Sequence, residues 1–179
     1  MKQHWITPFA ALFGLLAILG VSPVTMADDE VKLKAKLQGF QETPAISSGA
    51  SGRFSGEIDR HDTSIAYELS YSGLEGDVRQ AHIHFGQRGV AGGISVYLCQ
   101  TRTNLDPTTL APTCPQSGTV TGTLTDANVI GPAGQGIAAP GEFAELVRAI
   151  RAGVSYANVH STKFPSGEIR GQIRAHDDD

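Results

Sequence analysis

The sequence predicts a mainly β fold: an antiparallel β-sandwich or Greek-key barrel with one short helix near residues 142–152. Three observations predict it. Short runs alternate apolar and polar residues with period two, Gly, Ser, Asp or Pro clusters separate most of them, and helical apolar spacing occurs once. A parallel sheet needs a helix at each crossover, which a single helix cannot supply. The length of 179 residues suits one domain of ordinary size.

The clearest strand is 31–37, with Val31, Leu33, Ala35 and Leu37 on one face and Lys32, Lys34 and Lys36 on the other. Ile65, Tyr67, Leu69 and Tyr71 alternate in the same way with Ala66, Glu68 and Ser70. Further strands are expected at 52–58, 78–85, 94–98, 118–124, 155–160 and 168–174. In the helix, Phe143, Leu146, Val147 and Ile150 fall at i, i+3, i+4 and i+7 and build one apolar stripe for packing on the sheet. Glu142 suits its first turn, Arg148 and Arg151 its last, and Gly153 its left-handed cap. Residues 126–141, rich in Gly, Pro and Ala, read as an ordered loop. The tail His176-Asp177-Asp178-Asp179 reads as a frayed, solvated end rather than a metal site.

Residues 1–27 read as a secretory signal peptide, and 28–179 as a single domain with its core at about 31–174. Lys2 precedes a 13-residue apolar run at 9–21, and Thr25-Met26-Ala27 closes it with small residues flanking Met. Spanning hydrocarbon takes about 20 apolar residues. The run falls short, and no later stretch is longer. The mature chain is therefore expected to be secreted or periplasmic, with no membrane insertion after cleavage. Net charge is −4; without Lys2, the only charge in 1–27, the mature chain carries 13 cations against 18 acids, or −5. Such a chain lacks the basic field that nucleic acid binding needs.

Export places Cys99 and Cys114 in an oxidising compartment, where two cysteines make one disulfide. They bracket a polar, Pro- and Thr-rich segment with no core of its own. Closing a loop of about 15 residues contributes roughly 3 kcal/mol in the chain-entropy model. The bridge staples a long loop.

Histidine placement carries the chemical signal. In 80–85, His82 and His84 share one strand face while Ala81, Ile83 and Phe85 share the other. The apolar set faces the core, so both imidazoles point outward, with bases roughly 6–7 Å apart. From that spacing two rings lean together onto an ion about 2 Å from each nitrogen. In 156–160, Ala157 and Val159 point inward and His160 outward. If the two strands are neighbours, three imidazoles meet on one outer surface. The chain then turns and returns through 168–173, where Arg170 shares the outward face with Glu168 and Gln172. A hairpin return would bring Arg170 near His160, and a guanidinium beside a histidine metal site attracts a small anion. The alternative for Arg170 is a solvated strand-face cation. His61, in the turn before a strand, is a possible extra ligand.

Four stretches carry a likeness to a known family: 37–44 (LQGFQETP), 81–86 (AHIHFG), 156–160 (YANVH) and 167–172 (GEIRGQ). Over 31–174 the chain resembles the CHRD domain, named after chordin and found in many bacterial exported proteins. The resemblance implies an extracellular antiparallel β-domain. In chordin the module belongs to a secreted antagonist of growth-factor signalling, a role that need not transfer to a single exported domain. A more distant likeness is to the copper site of copper/zinc superoxide dismutases. It implies His82, His84 and His160 as copper ligands, Arg170 as the guide for the superoxide anion, and the Cys99–Cys114 bridge as a staple near the site. No His or Asp lies between His84 and Cys99. The bridging histidine and zinc cluster of those enzymes are therefore missing, and any metal site would be mononuclear.

Two functional readings follow. One is a three-histidine site for copper, with zinc as the alternative, since imidazole suits both while calcium and magnesium need oxygen clusters absent here. With an open position, bound copper could dismutate superoxide, or the protein could simply hold the metal. The other is a non-catalytic secreted interaction module, acting through an unknown protein partner, whose histidines are inert. A hydrolase or nucleotide site is not supported: no Gly-x-Ser-x-Gly elbow or phosphate loop is present.

Overall fold

The computed structural model describes residue 1, residues 30–138 and residues 141–176. Apart from residue 1, the expected signal peptide lies outside the described residues, as do the last three residues of the expected frayed tail. Among the described residues, nine antiparallel strands form a nearly closed, barrel-like sheet. They are β1 Val31–Gln38, β2 Ser51–Ile58, β3 Ile65–Ser72, β4 Val78–Phe85, β5 Gly93–Cys99, β6 Gly118–Leu124, β7 Ser155–Ser161, β8 Ile169–Gln172 and β9 Arg174–His176. Strand order is β5-β4-β7-β8-β1-β2-β3-β6, with β9 paired to β1. Among the described residues, no helix is long and apolar enough to cross a membrane.

The alternation read from the sequence sorts the sheet into faces. Leu33, Leu37, Phe54, Ile65, Leu69, Ile83, Val159 and Ile169 are buried in one core. Across the nearly closed edge, the Tyr67 hydroxyl donates to the Leu98 carbonyl at 2.6 Å, tying β3 to β5. Helix α1, Phe143–Arg151, buries Phe143, Leu146, Val147 and Ile150 as its spacing requires. Glu142 is its N-cap rather than its first helical residue, and Gly153 takes φ +69 just past its end. The Cys99–Cys114 disulfide closes with its Cα atoms 4.9 Å apart.

Two expectations need correction. The strand expected at 168–174 is interrupted: Ile173 stays buried in the core while β8 pairs with β7 and β9 pairs with β1. One strand becomes two because the ladder breaks at Ile173: β8 lies between β7 and β1, touching β1 at Gln38, while β9 pairs with β1 further along, at Lys32 to Lys34. His176 is not frayed, since it ends β9 opposite Lys32.

Candidate metal centre

β4 and β7 are antiparallel neighbours, with His82 opposite Asn158, His84 opposite Tyr156 and Gln80 opposite His160. The adjacency on which the three-histidine reading depends is therefore present. One ligand nitrogen from each of His82, His84 and His160 lies within 4.8 Å of the others. His82 Nδ1 is 3.1 Å from His160 Nε2. Two nitrogens bound at about 2.0–2.1 Å to one tetrahedral ion sit about 3.3 Å apart, so the observed separation is close to a ligand pair's.

The three rings do not face solvent. His82, His84 and His160 are 0%, 7% and 5% exposed, which corrects the outer-surface placement. Alternation chose the right face, but loops roof it. The turn after β4 supplies the Gly92 carbonyl, which accepts from His84 Nδ1 at 2.9 Å. The turn after β7 supplies the Pro165 carbonyl, which accepts from His160 Nδ1 at 3.0 Å. From β5, the Tyr97 ring meets His82 edge-on at 4.3 Å.

These carbonyls fix the tautomers. A proton held on Nδ1 leaves Nε2 of His84 and of His160 as a bare lone pair, the second-shell arrangement that prepares imidazole for a metal. Burial pushes all three rings toward the neutral form. His84 and His160 fall to about 4 and His82 lies well below its usual value; neighbouring rings add repulsion at His82 and His160, and Arg170 does so at His84. His82 Nε2 and His84 Nε2 are buried and have no hydrogen-bond partner. Orphaned buried nitrogens are costly, and a cation shared by His82 Nδ1, His84 Nε2 and His160 Nε2 would satisfy the one on His84. Neutral imidazoles without a carboxylate in the group suit copper or zinc rather than calcium or magnesium.

Arg170 is 2% exposed, so it is not a solvated strand-face cation. It sits opposite Asn158 rather than beside His160, because β7 and β8 pair in that register. Its guanidinium carbon lies 3.4 Å from the Tyr156 ring centroid, and Tyr156 stacks on His84 at 4.8 Å and 5°. Nη1 donates to Thr43 Oγ1 at 3.3 Å and Nη2 to the Gln87 carbonyl at 3.1 Å. His61 is exposed in the β2–β3 turn, where Arg60 Nε donates to its Nε2 at 3.2 Å. It is not in the three-histidine group.

The sequence assigns Asn158 no role, and it offers Glu42 only as a carboxylate that could pair with Glu68 or Glu168 as acid and base. Asn158 is 2% exposed, and its Oδ1 lies 3.0 Å from His160 Nε2. Its position two residues before His160, on the same strand face, is the signal that could have found it. Glu42, from the loop after β1, is pushed up to about 7 by burial, with Arg170 and Asn158 pulling the other way. It lies in no periodic segment, so alternation does not place it beside the histidines, although it falls in the 37–44 stretch that carries the family likeness.

A family model described as the CHRD domain matches residues 33–173. The chain belongs to the CHRD domain family. All three histidines, Glu42, Asn158 and Arg170 fall within the matched span. No curated protein and no solved structure matches the chain.

Proposed function

We propose that this CHRD-domain protein is exported and holds one metal ion, copper before zinc, on His82, His84 and His160. The observation that carries the reading is the convergence of three buried imidazoles, one ligand nitrogen of each within 4.8 Å of the others, with His84 Nε2 left unpartnered. CHRD membership and the disulfide support a secreted or periplasmic location. When bound, copper supplies one-electron redox chemistry. The chain's own residues hold it: the Gly92 and Pro165 carbonyls orient two rings, and all three rings are buried.

Burial favours retention of the ion over turnover. Arg170 contributes positive charge beside His84, but Thr43 and Gln87 engage its guanidinium. Superoxide guidance by Arg170 is therefore a weaker reading than metal holding.

Metal content per chain, after copper or zinc exposure and exhaustive dialysis, tests the proposal. One copper per wild-type chain is expected, lost in the His82→Ala/His84→Ala/His160→Ala variant while circular dichroism still shows the β fold. A wild-type chain that retains no metal would overturn it and leave a secreted module that works through a partner.

A further inference from the structure

Asn158 sets a problem that the histidines alone do not solve. His160 gives its Nδ1 proton to Pro165, so its Nε2 is an acceptor, yet the Asn158 carbonyl oxygen, also an acceptor, faces it at 3.0 Å. Two lone pairs at that distance repel unless a positive charge lies between them. Reversing the amide would put the oxygen toward Glu42. In the observed orientation Asn158 Nδ2 and Glu42 Oε1 crowd the same spot, 2.9 and 2.5 Å from where a Cβ on Gly167 would stand. Asn158 is among the groups that draw Glu42 toward its ionised form, and an ionised carboxyl prefers the amide N–H to the amide oxygen, which leaves the oxygen toward the histidines.

Resting on the three-histidine reading, we propose that Asn158 Oδ1 is the fourth donor to the metal, completing a three-nitrogen, one-oxygen site. The distances agree: Oδ1 and His82 Nδ1 lie 3.0 and 3.1 Å from His160 Nε2, both close to the separation of about 3.3 Å between donors on one tetrahedral ion. Topology agrees too, since Asn158 is paired with His82 on one side and Arg170 on the other. Glu42 and Gly167 act through Asn158, as positioning residues that hold its oxygen toward the ion. An amide oxygen adds no charge, so the donor set stays neutral.

Cu2+ titration with electron paramagnetic resonance on wild type, Asn158→Ala and Asn158→Asp tests this. The alanine variant is expected to bind copper at least ~10-fold more weakly, with a changed copper hyperfine splitting. Aspartate, nearly isosteric and anionic, is expected to keep an oxygen donor and bind at least as tightly as wild type. An alanine variant with wild-type affinity and spectrum would overturn the fourth donor while leaving the histidine site standing. A wild-type chain that binds no Cu2+ would overturn both.

Discussion

His82 Nδ1 and His160 Nε2 lie 3.1 Å apart although 78 residues separate them in the chain. The contact exists because β4 and β7 pair in a register that sets His82 opposite Asn158, one diagonal step from His160. A slip of one residue would turn either ring into the apolar core. Register, more than local sequence, makes the site.

The metal-free chain should lose stability as pH falls from about 6.5 to 4. His84 and His160 have folded values of about 4 against 6.5 unfolded, so in that window the unfolded chain binds more protons. A depression of that size is worth about 3 kcal/mol per ring. Glu42 works in the opposite direction. Its folded value of about 7 makes its penalty complete above pH 7 and absent below about 4.5. Three rings outweigh one carboxyl, so urea midpoints should be near-constant above pH 6.5 and fall below pH 6. A midpoint that rises steadily down to pH 4 would contradict this.

Gly167→Ala should destabilise the fold and weaken copper binding together. Gly167 has φ +133, and a Cβ there would stand 2.5 Å from Glu42 Oε1. Backbone strain alone is worth about 2 kcal/mol, or a fall of about 4–8 °C in melting temperature for a chain of this size. Calorimetry and a copper titration on one preparation would show whether both effects appear.

Replacing Cys99 and Cys114 with Ser should separate stability from metal binding. The lost loop closure across 15 residues corresponds to about 3 kcal/mol. Neither sulfur belongs to the histidine group, so copper stoichiometry should stay at one per folded chain.

Tyr156→Leu should loosen His84 and free Arg170, since one ring stacks on both. Copper affinity is expected to fall about 10-fold. Tyr156→Phe keeps the ring and loses only the hydroxyl that accepts from Gly92 N–H at 3.2 Å. It should therefore lie much closer to wild type in the same titration.

Much of this architecture is readable in the sequence. The alternation of 31–37 and 65–71 and the apolar stripe of 143–150 all mark elements whose buried faces match the pattern. The His-x-His pair and His160 were readable too, because period two sorts side chains by face. What alternation does not carry is the roof over a face. The cover on His84, His160 and Arg170 comes from Gly92, Pro165, Thr43 and Gln87, all in turns whose course depends on tertiary contacts. For the same reason the rings read as exposed when they are buried. A simple hairpin return predicts Arg170 near His160, whereas the register sets it opposite Asn158.

Anomalous diffraction at the copper absorption edge, from crystals of the copper-loaded chain, tests the central claim most directly. The expected result is a single peak per chain within about 2 Å of a nitrogen from each of His82, His84 and His160. A peak at His61 or His176 instead, or none in a chain that folds as described, would contradict it.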